Sequence, residues 1–240
     1  ALLLGLDRAA IVKSLFADRQ AVANSFVEPL DKGFTDDVPH YAFDPAKAQQ
    51  LLDQAGWHAQ PDGTRKSDDG KTLSFELTTT AGNHSRELVE QVLQSQWTKI
   101  GVSIRIHNEP ARVLFGETVP HRKFELAMYA WSSAPENEPR SIFHSKEIPA
   151  ADNGYAGQNA VGYDNPEMDR IIDTLETELD TAKRKALWAE AQVLYATDLP
   201  SLPLYFRSDA FVLPKWLAGL RPTGNQYPSS LWVTDWSVKP

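Results

Sequence analysis

The side chains best able to do chemistry are scattered along the chain. His84-Ser85 and His144-Ser145 each set a base beside a hydroxyl, but neighbours in sequence seldom meet in triad geometry, so neither pair argues for a hydrolase. The six histidines (His40, His58, His84, His107, His121 and His144) never fall four apart on a predicted helix, and they read as surface or loop imidazoles rather than as a metal site. Glu136 and Glu138 form a carboxylate pair, but Pro135 and Pro139 put them in a loop where solvation of a turn accounts for them. Glycine-rich phosphate loops, an H-E-x-x-H helix and a G-x-S-x-G elbow are all missing. With no cysteine, thiol nucleophiles, disulfide scaffolds and Cys-ligated zinc are excluded. The residues give no positive case for catalysis, a metal or a cofactor, and the chain reads as a non-enzyme.

The remaining candidates are aromatic. Trp131 closes a predicted strand over 124–131, in which Phe124, Leu126, Met128 and Ala130 face one way and Tyr129 and Trp131 the other. Beyond it, 132–165 is an irregular run punctuated by proline and glycine. Open α/β sheets collect ligands past the carboxyl ends of their strands. An indole there offers apolar area, a π face and one N–H donor. The alternative is that Trp131 plugs the core beneath the loop. Phe115 and Trp97, at helical spacings, read as core.

Elements that must position these residues are well marked. Asp44-Pro45 caps a helix with Ala48, Leu51, Leu52 and Ala55 on one face and Gly56 as its stop. Leu73–Leu77 alternates as a strand, Leu88, Val89, Val92, Leu93 and Trp97 follow with helical spacing up to Gly101, and Val102–Ile106 alternates again, which makes a βαβ unit. Asn165-Pro166 and Asp180 open two further helices, and Leu202–Phe206 reads as a short strand. The class is α/β with a mixed sheet. The net charge of −8, from 32 acids against 24 bases, argues against a nucleic-acid partner. No apolar stretch approaches the ~20 residues of a membrane span, which argues against stable membrane insertion.

Several stretches resemble the family 5 extracellular solute-binding proteins, the peptide- and nickel-binding components of ABC importers. Ala1–Ile11 (A-L-L-L-G-L-D-R-A-A-I), Tyr41–Trp57 (Y-A-F-D-P-A-K-A-Q-Q-L-L-D-Q-A-G-W) and Gln96–Ile106 (Q-W-T-K-I-G-V-S-I-R-I) look like segments of that family. Gly157-Gln158-Asn159, Asn165–Asp169 and Leu199–Leu204 continue it in order. The resemblance implies a lobe of a type 2 periplasmic-binding-protein fold. Residues 1–212 would be the C-terminal ligand-binding lobe and 213–240 a tail crossing to a first lobe outside this sequence. It also implies an extracytoplasmic or periplasmic receptor with a signal or lipoprotein leader, delivering a peptide or similar small solute to ABC permease subunits. A ligand-sensing domain of the same fold, with no transport role, is the alternative.

The same resemblance assigns the site. Tyr129 and Trp131 would form one wall and 132–139 its polar rim. Peptide-binding members show W-x-x-D, whose aspartate pairs with the peptide ammonium; here Ala134 replaces it, and Glu136, two positions on, is the candidate substitute. Arg112 would bind a ligand carboxylate, or else pair with Glu109 or Glu117. Asn159 would donate to the ligand or organise its own turn. Trp216, Leu217, Leu220, Trp232 and Trp236 would form an apolar patch facing the first lobe.

Overall fold

Capping side chains set most helix starts. In the computed structural model, which describes residues 1–132, 134 and 138–239, the Asp7 carboxylate accepts from the Ala10 N–H to open α1 (Arg8–Phe16). Asp44 accepts from Lys47 N–H to open α2 (Pro45–Gln54), with Pro45 at the first helical position where no N–H is needed. A small antiparallel ribbon follows, β1 (His58–Ala59) against β2 (Arg65–Lys66). Next come β3 (Ser74–Thr78), α3 (His84–Thr98) and β4 (Ser103–Ile106), with β3 and β4 parallel from Ser74↔Ser103 to Leu77↔Ile106. Gly101 turns the chain between α3 and β4 at φ +86°, and a Cβ there would lie 2.7 Å from Arg65 Cγ, so the position needs glycine twice over.

After β4, α4 (Ala111–Val113) runs straight into a π-helical turn, Leu114–Thr118, before β5 (Leu126–Ala127) pairs with the other edge of β3. The short α5 (Arg140–Phe143) and the long α6 (Pro166–Leu175) and α7 (Thr181–Asp198) complete the helices, and β6 (Leu217–Ala218) pairs antiparallel with β7 (Ser237–Val238).

Three expectations change. The central sheet, ordered β4-β3-β5, is parallel throughout rather than mixed, because α3 and the α4–π segment both carry the chain back to the same end of the sheet. Antiparallel pairing is confined to the two small ribbons and to single bridges, including Val22↔Tyr205, which is all that forms of the strand expected over 202–206. The strand expected over 124–131 stops early: Met128 N–H still bonds Thr78 O at 2.9 Å, but its carbonyl is taken by the Thr79 hydroxyl at 2.5 Å. A side chain replaces the next backbone rung and the ladder ends. Near residue 240 the chain forms a 3₁₀ segment over Ser229–Asp235 and then β7, paired with β6.

Among the described residues two large cores and a smaller third are packed. Leu6, Ile11, Leu52, Leu77, Leu93 and Trp97 join α1, α2, β3 and α3. Val27, Val38, Phe143, Ile171, Ile172, Leu175, Trp188 and Tyr195 join α6 and α7 to the loops before α2. Buried Arg8 stitches distant segments, its guanidinium donating to Ala23 O, to Pro203 O at 2.9 Å, to Asn24 Oδ1 at 3.2 Å and to Tyr41 O at 2.9 Å.

Candidate functional site

The carboxyl ends of β3, β4 and β5 meet through one residue. Thr79 is fully buried and spends every polar group it has. Its N–H donates to Asn108 Oδ1 at 3.0 Å, its carbonyl accepts from Glu109 N–H at 3.1 Å, and its hydroxyl holds Met128 O. Immediately past that clasp the chain presents Tyr129 and Trp131.

These two rings and Phe115 make an aromatic ledge. Phe115 and Tyr129 meet edge to face, with centroids 5.5 Å apart at 90°, and Tyr129 meets Trp131 at 5.7 Å and 80°. Tyr129 is anchored from behind against the small core of Leu114, Val119 and Ala160, and burial pushes its phenol above the usual tyrosine range. Trp131 is 50% exposed and Phe115 43%. Neither ring is a core plug. Phe115 corrects the expectation from spacing: the π-helical turn buries Leu114 and turns its neighbour Phe115 outward.

Arg112 lies one turn before Phe115, on α4. It is exposed and makes no hydrogen bond or ion pair among the described residues. The pairings weighed for it are not formed, since Glu109 Oε2 accepts from the Thr118 hydroxyl at 2.6 Å and Glu117 faces His121 at 3.7 Å.

Of the two roles weighed for Asn159, the turn-organising one is formed. It is fully buried; its amide donates to His144 O at 3.0 Å and Tyr163 O at 2.8 Å, and its oxygen accepts from Tyr163 N–H at 2.9 Å. Nothing remains for a ligand. Ala134 is half-buried, and Glu136 lies outside the described residues. Glu138 is not half of a carboxylate pair at work, being bound to Arg184 Nη2 at 2.7 Å. His144, read as a surface or loop imidazole, lies between two short helices but is buried, with Nδ1 accepting from Lys146 N–H and Nε2 3.3 Å from Asp173. A surface groove of about 480 Å³ lies along α6, and one of about 280 Å³ beside Arg140 and Glu138; neither is lined by a ledge residue. The ledge is an open wall. Sequence reasoning missed Phe115 as a ledge ring and missed the Thr79–Asn108 clasp, whose only trace was polar residues at strand ends.

Comparison with known proteins agrees with this architecture. Residues 1–150 match the family described as bacterial extracellular solute-binding proteins, family 5 Middle. The chain belongs to that family. It is a family of solute-binding proteins, not of enzymes. The oligopeptide-binding protein AppA of Bacillus subtilis is 28% identical over 237 residues, covering 97% of this chain and 42% of that relative. An oligopeptide-binding protein from Thermus thermophilus, solved with a pentapeptide, superposes with a TM-score of 0.87 at 33% identity, over 100% of this chain and 44% of that one. NikZ from Campylobacter jejuni, solved with Ni(L-His), gives 0.78 at 26% identity over 98% of this chain and 47% of that one. The chain thus spans less than half the length of these relatives. No helix among the described residues is long and apolar enough to cross a membrane.

Proposed function

We propose that residues 1–212 are the C-terminal ligand-binding lobe of an extracytoplasmic receptor for an ABC importer, and that residues 213–240 form a tail reaching the first lobe. The receptor closes on a peptide or similar small solute and delivers it to the permease. One observation carries this reading: an exposed aromatic ledge at the carboxyl ends of parallel strands, with a guanidinium on the adjoining segment that is unpaired among the described residues. Good small-molecule sites bury about 70–90% of the ligand, so a wall this open implies a second one. The peptide-binding relatives support the ligand class, and periplasmic oligopeptide-binding relatives from Salmonella typhimurium and Escherichia coli support the location.

Within the reading, Trp131 and Tyr129 stack on the solute and Arg112 binds a carboxylate in bidentate fashion. A buried aromatic anchor of this kind is worth at least ~2 kcal/mol when truncated. Mass spectrometry of small molecules carried through purification by the complete receptor tests the reading. Peptides or peptide-like solutes should appear with the wild type and disappear with Trp131→Ala. Equal retention by the two proteins would overturn it.

A further inference from the structure

Behind the ledge, α3 contributes an acidic residue that solubility does not explain. Glu90 is fully buried, although a carboxyl that is taken out of water requires compensation. It finds one partner: Asn108 Nδ2 donates to Glu90 Oε2 at 2.8 Å. The same Asn108 uses its oxygen to accept the Thr79 N–H, and the Thr79 hydroxyl in turn grips the Met128 carbonyl. An amide side chain left without a fixed acceptor on one end can rotate, and rotation would withdraw the acceptor on the other. The four residues form a contiguous relay from the helix, through the ends of β4 and β3, to the peptide link before Tyr129.

We propose that Glu90 is a positioning residue for the ligand wall: by fixing Asn108, and through it Thr79, it sets the strand end from which Tyr129 and Trp131 project. The proposal rests on the reading of the ledge as a solute site. The acid is buried for its geometry as an acceptor and not for its charge. Burial pushes its carboxyl above the ordinary range, the Asn108 hydrogen bond pulling the other way and nearby Glu87 adding to the rise, and its second oxygen has no partner among the described residues. A glutamine at this position would therefore serve as well, whereas an apolar side chain of similar length would not.

Fluorine NMR of the full chain labelled with 5-fluorotryptophan reads the ledge directly, the seven resonances being assigned by Trp→Phe variants. Glu90→Met and Thr79→Val should each shift or broaden the Trp131 signal and leave Trp188, in the α6–α7 core, in place. Glu90→Gln and Thr79→Ser should restore the wild-type Trp131 signal, since each keeps the hydrogen-bonding atom of the relay. Should Glu90→Met fail to fold, Thr79→Val tests the same link from its other end. An unmoved Trp131 in the folded variants would overturn the proposal, as would Trp131 and Trp188 shifting together, which is general loosening. No solute is used, so a receptor that retained no peptide would leave this result standing.

Discussion

At the residue scale the ledge turns on what stands beside Trp131. The tryptophan was legible because its type and its place after an apolar alternation pointed to a strand end, and the fold leaves its ring half-exposed there. Arg112 was legible only as an alternative, since charge alone cannot tell a free guanidinium from a paired one. Asn159 stayed open between two roles, because an asparagine that organises a turn and one that binds a ligand look alike until its partners are seen. Ala134 carries the sharpest chemical consequence. A buried ammonium with no anion pays a large desolvation penalty, several kcal/mol even after relaxation. With alanine at the position where peptide-binding relatives are expected to hold an aspartate, the complete receptor should bind a peptide and its N-acetylated form within roughly tenfold of each other, a difference of about 1.4 kcal/mol. Competition titration measures this. A larger preference for the free amine, abolished by Glu136→Gln, would show that Glu136 has taken over the pairing.

At the element scale, helices were read more faithfully than strands. Asp44, Asn165 and Asp180 each accept from a backbone N–H in the first turn of the helix they announce, a local signal that needs no tertiary context. The βαβ unit was equally plain. The length of β5 was not, because its end is set by a threonine just past the end of a neighbouring strand. Nor was the π-helical turn at Leu114–Thr118, which has no signature in periodicity and decides which of two adjacent apolar residues faces solvent. The helix pair α6–α7 gives a test of the packing. Ile172 is fully buried between them, so Ile172→Ala should cost about 2–5 kcal/mol, read as a fall in the urea midpoint. A loss under about 1 kcal/mol would mean that the pair is not the second core described above.

At the scale of the molecule, part of the apolar surface near residue 240 is exposed and part is covered. Trp216 and Trp232 are exposed near the end of the chain, with Arg221 stacked 5.5 Å over the Trp232 ring, while Leu217, Leu220 and Trp236 are half-buried within the tail itself. The patch expected from the sequence is therefore present in part, since the tail's own ribbon and 3₁₀ segment cover the rest. The ledge, too, leaves Trp131 and Phe115 exposed. Parallel titration calorimetry tests this account most directly: the solute identified by mass spectrometry is titrated into the complete receptor and into residues 1–240 alone. If the ledge is half of a two-walled site, the complete receptor binds at roughly micromolar strength or better and the 240-residue chain no tighter than about millimolar. Micromolar binding by the isolated chain would contradict it.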